Sequence, residues 1–129
     1  MESEHERKIE IWIEGMSFPA VLNDSITACQ ILDALPISGD GSRWGDEIYF
    51  DIGVELDTEN LQEDVEIGDI AYWRPGKALC LFFGRTPAST ADRPRAASPV
   101  TVVGKLIEGV EKLRSVTNLG NIEVKKKRS

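Results

Sequence analysis

Val65 to Gly84, VEIGDIAYWRPGKALCLFFG, is the most apolar and most aromatic stretch of the chain. Its pattern predicts two strands, Ile70–Trp73 and Ala78–Phe83, joined by Arg74-Pro75-Gly76-Lys77. Proline presets φ at the first central turn position and glycine supplies positive φ at the second, which is type II turn chemistry. That turn matches hairpin twist poorly, so a bulge or splay is expected beside it. Leu79-Cys80-Leu81-Phe82-Phe83 is apolar at every position, so both faces of this strand need cover. It belongs inside a sheet covered on both sides, or in a barrel wall that carries a second apolar surface.

Upstream, Ile9, Ile11 and Ile13 alternate with Glu10, Trp12 and Glu14, the period of a half-buried strand. Gly15-Met16-Ser17 turns the chain, and Phe18–Leu22 returns as a second strand that Pro19 places near an edge. Asn23-Asp24-Ser25 offers N-cap side chains for a helix over 26–35, with Ala28, Ile31, Leu32 and Leu35 on one face. Pro36 stops it. Residues 37–45, ISGDGSRWG, read as a loop. Their glycines are not a phosphate cradle, because the spacing is wrong, no Walker lysine follows and the next element is a strand. That strand is DEIYFDI, Asp46 to Ile52.

No Lys or Arg occurs between Arg43 and Arg74, while acids accumulate, most densely over 55–64. Calcium-loop spacing fails there. Counted from Asp57, the fifth and sixth positions are Leu61 and Gln62; counted from Asp51, the glycine is missing. The segment reads as a solvated acidic loop, with a weak cation or basic-partner site as the alternative. Downstream, 85–99, RTPASTADRPRAASP, reads as a long irregular excursion, and such loops are commonly mobile or functional. A strand resumes at Pro99–Val103, a helix is expected from Ile107 or Glu108 to Val116, and Ile122 and Val124 close with a last strand.

The 129 residues form one domain, with a polar tail at 1–7 and a basic tail at 125–129. A net charge of −7 argues against nucleic acid and anionic membranes. No apolar run is long enough to span a bilayer, and MESEHERK has no apolar core of a secretory signal. Cys29 and Cys80 sit in apolar settings and are expected to be buried and reduced, as in the cytoplasm. The single histidine, His5, lies in the N-terminal tail, which leaves no Ser-His or Cys-His pair and no histidine-ligated metal site. No cofactor is expected.

Val102-Val103-Gly104-Lys105-Leu106-Ile107-Glu108-Gly109 resembles the cyclophilin signature in which a strand ends in V-x-G-K and E-G opens the second helix. Leu81-Phe82-Phe83 resembles the S-Q-F-F-I strand of those isomerases. WGDEIYF (44–50), EIGDIAYWRPGKALCLFFG (66–84) and VVGKLIEG are more closely similar to an uncharacterised prokaryotic cyclophilin-like family, over about Ile9 to Leu113. The resemblance implies a mainly β fold, a cyclophilin-like closed eight-stranded β-barrel capped by two helices. It does not by itself imply an activity.

The isomerases carry F-H-R, whose arginine donates to the prolyl amide, followed by Q-G-G-D. Aligned on Gly45, the arginine position falls on Phe50, and the acidic loop stands where Q-G-G-D would be. The glutamine of S-Q-F-F-I is lost, while Phe83 matches the phenylalanine of the proline pocket. The expected function is a non-catalytic module that binds a peptide or small molecule. The alternatives are an atypical prolyl isomerase, and another enzyme or subunit on the same barrel. Phe83 and Leu81 are expected on the groove side of their strand and Phe82 in the core, with Arg43, Trp44 and Tyr72 as further groove candidates.

Overall fold

The structure, a computed structural model, describes residues 7–127. Nine strands run in chain order: β1 (Lys8–Ile13), β2 (Met16–Leu22), β3 (Ile37–Arg43), β4 (Glu47–Asp51), β5 (Gln62–Asp64), β6 (Asp69–Trp73), β7 (Ala78–Phe82), β8 (Arg95–Leu106) and β9 (Asn121–Lys126). One α-helix, α1 (Ile26–Ala34), and a 3-10 helix at Val110–Ser115 join them. The sheet order is β2-β1-β9-β3-β4-β7-β6-β8-β5, and β2 pairs again with β8. Eight strands therefore close into a ring, with β5 as an extra strand on β8.

Strand alternation fills this ring. Ile9, Ile11 and Ile13 of β1 point inward, joined by Phe18, Ile48, Phe50, Ile70, Tyr72, Leu79, Leu81, Ile122 and Val124 from the other walls. Because β2 and β8 are antiparallel, the chain leaves them at opposite ends of the ring. After β2, α1 lays Ala28 and Ile31 on one end; after β8, the 3-10 helix brings Leu113 to the other. Ser25 caps α1 by accepting the Ala28 N–H at 3.1 Å, and Leu35-Pro36 is a cis peptide.

Several expectations need correcting. The Arg74–Gly76 connection is a short 3-10 turn, and the positive φ belongs to Lys77 at 48°, not to Gly76. Gly76 is needed because a Cβ there would lie 2.7 Å from the Trp73 ring, which packs across it. The β6–β7 hairpin stays in register. The bulge lies on the other side of β6, where β8 inserts Val103 between the residues opposite Ala71 and Ile70.

Residues 37–43 are strand β3 rather than loop. Gly39 and Gly41 are packing glycines: a Cβ on Gly39 would sit 2.0 Å from the Asp51 carbonyl oxygen, and one on Gly41 would sit 2.6 Å from Ile122 Cδ1. Pro19 is not on an edge, since β2 pairs with both β1 and β8. Its carbonyl accepts the Ile107 N–H at 2.9 Å, just beyond the last β2–β8 partners, so its missing N–H breaks no ladder bond.

The second helix is a single 3-10 segment entered from Gly109 at φ 84°. Cys29 is exposed, while Cys80 is buried; both are free thiols. Arg7 donates to the Leu22 carbonyl at 3.0 Å, and Lys125 and Lys126 belong to β9, so both tails are shorter than expected. His5 lies outside the described residues. Strand β8 begins at Arg95, which shortens the irregular excursion to 84–94.

The acidic segment is tied down at several points. Tyr72 Oη accepts from Leu56 N at 3.1 Å and donates to the Val54 carbonyl at 2.8 Å. Thr101 Oγ1 takes the Glu59 N–H, and Arg95 pairs with Glu63 and Asp64. Among the described residues no three metal-ligating side chains cluster, and no helix is long and apolar enough to cross a membrane.

Candidate functional site

The alternation that fills the ring also sets the chemistry of its outer surface. While Ile48 and Phe50 of β4 face inward, Glu47 and Tyr49 face out; β7 likewise turns out Cys80 and Phe82, and β6 turns out Ala71 and Trp73. This outer surface is apolar, as the sequence of β7 demands, and it is covered. Strand β5 pairs with the first half of β8, and the two lie across it, so Val65, Ala96 and Val100 complete a second small core with Ala71, Cys80 and Phe82.

The cover is incomplete. Beyond it lies a cavity of about 230 Å³ lined by Trp44, Glu47, Tyr49, Trp73, Cys80, Ala96, Ala97 and Val100. Trp44 and Glu47 are locked together through the backbone: Trp44 N donates to the Glu47 carbonyl at 2.8 Å, and Glu47 N donates to the Trp44 carbonyl at 3.2 Å. The Trp73 indole N–H donates to Ser98 Oγ at 2.6 Å, holding the ring against the start of β8. At the neighbouring turn, Asp46 takes Arg43 at 3.0 Å and Arg114 at 2.8 Å, so one carboxylate is shared between two guanidinium groups.

Glu47 is the one ionisable carboxyl in the lining and is only 6% exposed. Burial pushes its pKa from 4.5 up to about 7, because the charged form loses water without gaining a cation; the hydrogen bond with the Cys80 thiol offsets a little of this. No ion pair among the described residues reaches it. The Cys80 thiol is pushed well up by its own burial and then by the adjacent Glu47 charge, so it stays protonated and unreactive.

Of the residues singled out in the sequence, Trp44 lines this cavity. Arg43 precedes Trp44 in the chain but does not line the cavity: its guanidinium stacks over the Phe83 ring at 5.0 Å and donates to the carbonyls of Gly45 and Arg114. Tyr72, Leu81 and Phe83 are in the interior core. The expected alternation of Leu81 and Phe83 against Phe82 is present with the faces exchanged. Phe83 is 2% exposed inside the ring and is not a wetted groove residue, while Phe82 belongs to the outer core.

Sequence reading missed Glu47, Tyr49, Trp73 and Cys80. A signal for Glu47 was available, an acid embedded in the Ile/Tyr/Phe pattern of DEIYFDI, beside a strand that is apolar on both faces. Nothing local tells which face of β7 is interior, because both carry apolar side chains.

A ring of eight antiparallel strands closed at its ends by short helices defines a cyclophilin-like domain. The cyclophilin-like family profile matches residues 7–125, and the chain belongs to that family. Among solved structures it is similar to the hypothetical protein AF2241 from Archaeoglobus fulgidus, known from a solution structure. The two are 40% identical over 98% of each chain, with a TM-score of 0.80. No curated protein matches the chain.

Proposed function

We propose that the protein is a non-catalytic binding module whose outer-wall cavity takes a small molecule or a single side chain of a peptide. The observation that carries this reading is the cavity itself, apolar and aromatic on most sides with one convergent polar group, Glu47. Its volume of about 230 Å³ lies below the range of roughly 300–1,000 Å³ typical of drug-sized ligands, which limits the occupant to a small head group or one side chain.

Prolyl isomerisation is disfavoured. That reaction needs a donor to the imide nitrogen, and the lining holds a carboxyl and no arginine. Phe50, which stands at the arginine position, points into the core. Two free cysteines accord with a protein of the reducing cytoplasm.

Two of the three tryptophans line the cavity, so binding has a direct readout. Titration with small apolar fragments and short proline peptides, followed by amide and indole chemical shifts, is expected to perturb Trp44, Tyr49, Trp73 and 96–100 together. Binding that shifts other regions and spares these residues overturns the reading.

A further inference from the structure

We infer that the ligand of this cavity is an organic ammonium ion, held with its alkyl groups against Trp44, Tyr49 and Trp73 and its charge facing Glu47. The inference rests on the binding reading above and names the chemistry of the occupant.

Three features converge on a cation. Two indoles and a phenol line one small space, and aromatic faces present negative charge to a cation while remaining apolar enough to meet its methyl groups. The only charge-bearing group that shares the lining with them is a carboxyl. That carboxyl has no ion-pair partner among the described residues; Arg43 and Arg114 both pair with Asp46 instead. A buried carboxylate ordinarily carries a partner of opposite charge. Here the protein supplies only the Cys80 thiol, and a cation entering the cavity would favour the charged form. An anionic ligand would be repelled by the ionised carboxylate, and a neutral apolar one would leave Glu47 to shed its charge by taking up a proton.

Size agrees. About 230 Å³ is the liquid volume of roughly eight waters at about 30 Å³ each, room for a branched ammonium head with a short stem. The same head occurs on a free amine and on an N-methylated lysine side chain, and both present the same chemistry to the pocket.

The groups facing Glu47 are few. Cys80 comes from β7 and Tyr49 from its own strand; β6 contributes Trp73, and β8 contributes Ala96, Ala97 and Val100. Asp69, farther along β6, is turned to the Glu66 N–H. Binding of a permanent cation should therefore follow the ionisation of Glu47 alone.

The test compares choline with 3,3-dimethylbutan-1-ol, in which carbon replaces the charged nitrogen, using tryptophan fluorescence and the Trp44 and Trp73 indole shifts. At pH 8 choline is expected to bind at least tenfold more tightly than the alcohol. Because Glu47 titrates at about 7, choline affinity should fall about tenfold from pH 8 to pH 6, with the alcohol unaffected in that sense. Glu47→Gln should remove both the preference and the pH dependence, and Trp44→Leu should weaken choline more than the alcohol. A peptide carrying trimethyllysine that binds more tightly than choline would place the ammonium on a protein; equal affinity would place it on a free amine. If both ligands bind alike at pH 8, the ammonium inference falls and the cavity remains a binding site. If neither perturbs the cavity residues at millimolar concentration, both readings fall.

Discussion

Glu47 is where the molecule departs most from what a stable core would choose. Its value of about 7 in the folded state exceeds its ordinary 4.5, so the native protein keeps a proton that the unfolded chain has lost. The associated stability is full below about pH 4.5 and is lost as pH rises through about 7. A difference of this size corresponds to about 3 kcal/mol. Relative to Glu47→Gln, the wild-type protein is expected to lose that amount between those pH values and then run parallel to the variant. Denaturant unfolding at a series of pH values measures it, and curves parallel throughout would mean that Glu47 is hydrated. At the end of β7, Phe82 and the next residue, Phe83, are buried on opposite faces, at 0% and 2% exposure. Each is expected to cost about 3–5 kcal/mol on truncation to alanine, since each leaves a cavity in a closed core. Unfolding free energies of the two variants check this. A loss for Phe83→Ala well below that for Phe82→Ala would restore Phe83 to a wetted groove.

At the scale of elements, the two glycines of β3 decide whether a segment rich in turn residues can be a strand. Gly39 lets β3 come so near β4 that a methyl group would overlap the backbone of Asp51, which cannot swing aside as a side chain could. Gly39→Ala is expected to cost about 3 kcal/mol or more, at the upper end for overpacking. Gly15, at φ 77° in the β1–β2 turn, has nothing within 4 Å of an added Cβ. Gly15→Ala should cost only the backbone strain, about 1–2 kcal/mol. Thermal or denaturant unfolding of the pair orders them, and equal losses would contradict the close approach of β3 to β4. This contrast also explains what was legible in advance. β1 announces itself by period-2 alternation, β4 by its Ile, Tyr and Phe, β6 and β7 by apolar runs bounded by turn residues, and α1 by its cap and apolar face. Gly39 and Gly41 look like turn formers in one dimension, because the strand they make room for lies at a distance in sequence. The candidate site was less legible still. Trp44 was found, but the outward face of β4–β7–β6 depends on which of two apolar faces the ring encloses, and that is a property of closure.

For the whole molecule, family membership fixes the fold and leaves the activity to the side chains on the wall of the ring. Rotation about a prolyl bond passes a barrier of about 18–20 kcal/mol set by amide resonance. An arginine that donates to the imide nitrogen weakens that resonance in the twisted state, an electrostatic contribution made only in the transition state. In this protein β4 sends Glu47 and Tyr49 to its outer face and Phe50 to the interior, so the strand has no donor of that kind to offer. Arg43, the chain neighbour of Trp44, is fixed by Asp46, by the carbonyls of Gly45 and Arg114 and by the Phe83 ring. Redirecting it would strip several charge-assisted hydrogen bonds at once, each worth about 0.2–1 kcal/mol at this solvent-exposed position. An ionised Glu47 is an acceptor and would add to the electron density that the reaction must draw away. The protein is therefore expected to leave the isomerisation of a proline peptide at its spontaneous rate in a protease-coupled assay. A catalytic efficiency within tenfold of ordinary cyclophilins would show that a donor reaches the bond from elsewhere on the surface, and that the binding reading of this wall is wrong.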